Sequence, residues 1–125
     1  MTKSKLLVFS DIRDARTRLG LTQLDLAEHL GVARTSISNA EKDEPKPWMY
    51  LAVVGLGSLL LMNADVKQLN GKAFSTLRQR LQLTPAALGS KLGMAESTIT
   101  TWERHGPPQW AYPAMIALST VQLME

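Results

Sequence analysis

A 62-residue offset lays the second half of the chain on the first without a gap. Arg16, Arg18, Leu19, Leu21 and Thr22 fall on Arg78, Arg80, Leu81, Leu83 and Thr84. Leu26, Leu30, Gly31, Ala33, Ile37 and Glu41 fall on Leu88, Leu92, Gly93, Ala95, Ile99 and Glu103. Pro45, Trp48, Tyr50, Ala52 and Leu56 fall on Pro107, Trp110, Tyr112, Ala114 and Leu118. Such a match, with two tryptophans and two glycines in register, reads as a duplicated structural unit. The boundary lies in the polar stretch from Asn63 to Gly71, giving domains over 1–62 and 63–125. A domain of about 60 residues buries a small share of its surface and is marginal alone. The halves are therefore expected to pack on each other or on a second chain.

Each unit reads as four helices. Ile12, Ala15 and Leu19 recur at helical spacing over 10–19, and Gly20 ends that helix. Thr22 with Asp25 three residues on forms an acidic variant of the capping box and opens the next helix. Leu26, Ala27 and Leu30 form its inner face, and Gly31 supplies the left-handed residue a helix end wants. A third helix runs over 34–42 with Ile37 and Ala40 inward. Pro45 and Pro47 lead into a fourth, over 48–62. The second unit repeats this over 73–82, 84–92, 95–105 and 108–123, where Pro113 must sit in the first turn or kink the helix. The fold class is all-α. Leu51, Val54, Leu59 and Leu61 lie on several faces of the fourth helix, so burial on more than one side is expected, within or between chains. A homodimer follows from that apolar surface.

Composition narrows the function. Apolar residues make up 45% of the chain, enough for an ordinary core. There is no cysteine, hence no disulfide or thiolate chemistry, which fits a reducing cytoplasm. The stretch Leu6-Leu-Val-Phe9 is too short for a signal peptide, and the apolar run from Leu51 to Met62 falls short of a membrane span. Net charge is +3, with 8 basic and 7 acidic residues up to position 62 and 6 and 4 after it. So thin an excess suits a polyanionic partner only through a local footprint. His29 and His105, the two histidines, lie in different units and read as surface residues. No triad, metal spacing or phosphate-cradling loop stands out, and Gly55-Leu-Gly57 lacks the strand context of a nucleotide fingerprint. Neither an enzyme nor a cofactor is expected.

The shared pattern is Leu-Thr-x-x-x-Leu-Ala/Gly-x-x-Leu-Gly-x-Ala-x-x-x-Ile-x-x-x-Glu, over Leu21 to Glu41 and again over Leu83 to Glu103. It resembles the helix-turn-helix of the phage-repressor (Cro/C1, XRE-like) family. Ala27 and Gly89 stand where two helices cross closely, and Leu26, Leu30 and Ile37 set the angle between them. That angle lets the second helix of the pair enter a major groove while the first crosses the backbone. The following Pro-x-x-Trp segment resembles small regulators of phages and mobile elements.

The resemblance assigns roles. Arg16 with Glu41, and Arg78 with Glu103, match the family's ion pair between the first helix and the end of the third. Arg34, Thr35, Ser38 and Asn39 take the outward, base-reading positions. Arg can pair with guanine, Asn with adenine, and Thr can touch a thymine methyl. Gln23 and Lys42 match phosphate contacts, the former where backbone N–H groups point outward. Ala33 and Ala95 replace the family's usual Ser or Thr and remove a side-chain cap. In the second unit Pro85, Glu96 and Thr101 replace Gln23, Arg34 and Asn39, and its candidates are Glu96, Ser97, Thr100, Thr101 and Arg104. That unit is a weaker reader, a reader of another sequence, or a packing module; Trp102 reads as core or interface. The resemblance implies a DNA-binding regulator, a repressor or autoregulator on double-stranded DNA in the cytoplasm, associated with the nucleoid. The alternative is a protein-interaction module of antitoxin or anti-activator type, gripping a partner with Leu51–Met62 and Trp110–Leu123.

Overall fold

The computed structural model describes residues 11–124; the apolar stretch at 6–9 and residue 10 of the expected first helix lie outside them. The described residues are all-α. Eight helices follow one another: α1 Ile12–Arg18, α2 Gln23–Leu30, α3 Arg34–Lys42, α4 Pro47–Leu61, α5 Gly71–Arg80, α6 Pro85–Leu92, α7 Glu96–His105 and α8 Ala111–Met124.

Local chemistry fixes the ends. Asp11 caps α1 by accepting from the Asp14 N–H at 2.7 Å. Thr22 and Asp25 complete the capping box at the start of α2, each at 3.0 Å from the other's backbone N–H. Thr84 caps α6 through the Ala87 N–H, with Pro85 at a first-turn position that has no N–H partner to lose. Asn70 caps α5. Neither Ala33 nor Ala95 makes a side-chain cap, as their methyl groups require. Gly31 and Gly93 end α2 and α6 with φ of 71° and 75°, the left-handed conformation that a Cβ penalises. Gly20 takes φ 75° after α1, whereas the residue 62 positions on, Gln82, holds φ 60° with a side chain attached.

Boundaries differ modestly from the sequence reading. α5 starts at Gly71, where Asn70 can cap it, and α8 starts at Ala111, because Pro107 and Pro108 hold the approach extended. Pro113 lies in the first turn of α8 and the helix runs on past it; the Ala114 N–H reaches Trp110 O at 3.2 Å.

Packing joins the two halves. α2 lies against α3, and α6 against α7 at the equivalent place in the second half. α1 braces α3 and α4, and α5 braces α7. The most extensive helix pair is α4 with α8, and α4 also meets α6. One continuous core runs from Ile12, Leu26, Leu30, Ile37 and Leu56 to Phe74, Leu88, Leu92, Ile99 and Met115. Burying each large side chain of this kind is worth about 1.5–3 kcal/mol, so sharing one core offsets the weakness of two short units. Apolar side chains all round α4 find neighbours on several sides: Val53, Leu56 and Leu59 are buried and Leu51 and Val54 half-buried. Leu61 departs from the expectation and stands 88% exposed at the helix end.

Candidate nucleic-acid interface

α3 hangs on Ile37, which is buried against the first unit's core with Leu26 and Leu30. With that residue turned in, the helical period turns Thr35, Asn39 and Lys42 outward, while Arg34, one turn before Ile37, is exposed at the open first position of the helix. All four are exposed, and Ser38 is half-buried beside them. The structure thus gathers every base-reading candidate of the first unit on one helix.

Behind this face runs a chain of polar contacts. Arg16 on α1 donates through Nε to Glu41 Oε2 at 2.6 Å, and through a terminal nitrogen to Leu21 O at 2.9 Å. One guanidinium therefore holds both the end of α3 and the turn into α2. Gln23 at the start of α2 donates from Nε2 to Glu41 Oε1 at 2.9 Å. Its own Oε1 accepts from Arg34 at 3.0 Å. The part-buried ion pair and the exposed arginine are thereby linked through one amide. The Glu41 side chain is only 1% exposed. Burial pushes its carboxyl up, but hydrogen bonds from Arg16 and Gln23, the Arg16 charge and a contact from Arg13 together hold it below its usual value.

The sequence reading gave Gln23 to phosphate alone. In the structure both polar ends of its half-buried side chain are engaged within the protein. Its side chain meets Arg34, and it holds the first position of α2. Arg13 was not singled out; it is 70% exposed and reaches Glu41 Oε1 at 3.4 Å. Only its place one turn before Arg16 hinted at this. Arg18 stands on the solvated face and pairs with Asp14 at 3.1 Å.

The second unit keeps the frame and changes the face. Arg78 pairs with Glu103 and donates to Leu83 O at 2.8 Å, repeating the Arg16 arrangement. Pro85 has no amide to extend the chain, and the Glu103 side chain is 17% exposed. Ile99 anchors α7, leaving Glu96, Ser97, Thr101 and Arg104 exposed and Thr100 half-buried. Thr100 Oγ1 donates to Ser97 O at 3.0 Å. Trp102 lies edge-on to Phe74, with centroids 5.9 Å apart, and edge-on to Trp110 at 5.4 Å, so it serves the core.

Contacts between the units were also missed. Gln109 donates to Glu28 O at 3.0 Å and His29 O at 2.7 Å, capping the C-terminal end of α2 from the other half of the chain. Trp48 and Trp110 stack with centroids 4.3 Å apart. Their matching places in the two units were visible in the sequence, but not that they would face each other.

No described helix is long and apolar enough to cross a membrane. A helix-turn-helix family model matches residues 12–47. The matched segment spans α1 to α3 and ends at the first residue of α4. It supports the Cro/C1-like family for the first unit, a family of DNA-binding regulators. No curated protein and no solved structure matches the chain.

Proposed function

We propose that the protein is a sequence-specific, double-stranded-DNA-binding transcription regulator, acting in the cytoplasm as a repressor or autoregulator. The observation that carries this is the outer face of α3, where exposed Arg34, Thr35 and Asn39 surround no core contact while Ile37 locks the helix beneath them. In a major groove, Arg34 pairs with guanine, Asn39 with adenine, and Thr35 touches a thymine methyl. Lys42 and the start of α2 at Gln23 meet phosphates on either side. The two halves, 1–62 and 63–125, are tandem copies of one unit, and the first is the stronger reader because Glu96 in the second puts a negative charge where the first has Arg34.

An interaction module is less well supported. The surfaces it would use, on α4 and α8, are largely covered by each other. For the same reason a homodimer through the fourth helices is not part of this reading. A selection for bound DNA fragments, beginning with the region upstream of the protein's own gene, tests the proposal. Enrichment of one sequence, with binding that weakens steeply as salt rises, is the expected result. Retention of fragments without sequence preference would remove the regulator reading.

A further inference from the structure

Several of the contacts between the two units are related by the 62-residue offset. Gly31 in the first unit lies against Gln109 of the second; a Cβ on Gly31 would stand 2.9 Å from Gln109 Cβ. Gly93 in the second unit lies against Pro47 of the first; a Cβ on Gly93 would stand 3.0 Å from Pro47 Cδ. Gly31 matches Gly93, and Pro47 matches Gln109. Trp48 stacks on Trp110, its own equivalent, and α4 packs along α8, its own equivalent. When patch i of one unit meets patch j of the other and j meets i, the interface is isologous, and a residue that meets its own equivalent sits on the two-fold axis. Here both units belong to one chain.

We propose that the chain is a covalent pseudo-dimer: one molecule lays both α3 and α7 on a single duplex and reads two unlike half-sites. This rests on the DNA-binding reading above. In dimeric helix-turn-helix proteins the two-fold axis of the protein matches that of the operator, with half-sites one helical turn, ~34 Å, apart. In this chain the axis passes by Trp48 and Trp110. The starts of α3 and α7 follow Gly31 and Gly93, so both begin beside the interface at equivalent places. Because the two readers are one polypeptide, their faces are free to differ, and they do. Arg34 and Asn39 face one half-site; Glu96 and Thr101 face the other. A carboxylate there accepts from a cytosine amino group, as an arginine cannot. The operator is therefore asymmetric, and its second half is read by weaker chemistry.

The interface is itself unequal. Gln109 ties the second unit to the end of α2 with two hydrogen bonds, whereas Pro47 has no N–H to return them. Gln109 consequently sets how firmly the two reading heads are held at one spacing, which is where a linked pair gains over separate heads.

The test combines mass with footprint. DNA from the selection is bound to the full chain, and the mass of the free protein and of the complex is measured by sedimentation. Expected are a monomer free in solution, one chain per duplex, and a site of two different halves. Arg34→Ala should alter preference in one half alone and Ser97→Ala in the other. Gln109→Ala should weaken binding to the two-half site about two- to ten-fold, the worth of a hydrogen bond or two, and leave binding to the first half-site alone unchanged. Two chains on a palindrome of identical halves would overturn the pseudo-dimer while leaving DNA binding intact. So would a single half-site indifferent to Ser97→Ala. A chain that retains no DNA at low salt would instead overturn the DNA-binding reading, and this inference with it.

Discussion

Arg34 donates to the side-chain oxygen of Gln23 at 3.0 Å, and Gln23 passes the connection on to Glu41 at 2.9 Å. An exposed arginine normally loses much rotamer freedom when it meets DNA. Here part of that ordering is complete before binding. Arg34→Ala is expected to weaken specific binding about ten- to a hundred-fold and relax preference at one base pair, the worth of one bidentate base contact. Gln23→Ala should act in the same direction at the same base pair but more weakly, because Arg34 remains and only its orientation is lost. Affinities on operators varied at each base pair check both. A Gln23→Ala effect spread evenly over all positions would mean that the residue holds phosphate and does not place Arg34.

Arg16 answers to stability first. Its guanidinium is the main partner of a carboxylate with almost no access to water. Breaking a buried pair by removing one member costs ~3–5 kcal/mol. Gln23 and Arg13 still reach Glu41, so Arg16→Ala should fall at or below the lower end of that range. Thermal melts should show a clear loss. Intact melting with lost DNA affinity would make Arg16 a DNA contact.

Acid should probe the same carboxyl. Against the effect of burial, hydrogen bonds from Arg16 and Gln23 and the Arg16 charge hold the Glu41 carboxyl below its ordinary value. A group with a depressed folded value adds stability above its unfolded value and loses it as pH falls through the folded one. The contribution is therefore complete at neutral pH, begins to fall as pH approaches the ordinary glutamate range and is gone only below the folded value. Glu41→Gln should lower the melting temperature at pH 7 and converge on the parent protein as pH drops towards 3. A constant gap between the two across that range would show that charge is not what Glu41 contributes.

Much of this was legible in the sequence where a local rule decides. Thr22 with Asp25, Gly31, and Ile37 with Leu26 and Leu30 each specify their role through neighbours within one or two turns, and their elements lie where the spacing puts them. The Arg16–Glu41 pair was legible because the pattern it belongs to is long and occurs twice. What lay beyond reach depends on how the halves meet. Nothing near Gln109 in sequence marks it as the cap of α2, 80 residues earlier. Gln23 was legible as a residue at a helix start, but the direction of its amide depends on two partners on another helix. Gly55 read only as part of a glycine pair without the context of a nucleotide fingerprint, when its lack of a side chain is what the helix contact needs.

Gly55 and Gly57 offer a comparison two residues apart on α4. A Cβ on Gly55 would lie 1.6 Å from Pro113 O and 2.5 Å from Pro113 C, both backbone atoms of α8. No side-chain rotation relieves that overlap, so the two helices must part along the most extensive contact in the protein. Overpacking typically costs ~1–3 kcal/mol, and a clash with backbone belongs at the top of that range. The new Ala would regain about 1 kcal/mol of helix propensity, too little to compensate. A Cβ on Gly57 would meet only the Leu19 side chain, at 3.5 Å, an ordinary contact. There the propensity gain stands unopposed, and Gly57→Ala should be neutral or raise stability by up to about 1 kcal/mol. Chemical denaturation of Gly55→Ala and Gly57→Ala side by side checks the pair. Equal stability of the two variants would mean that α4 and α8 do not approach as closely as Pro113 and Gly55 do here, and the close core shared by the two halves would have to be redrawn.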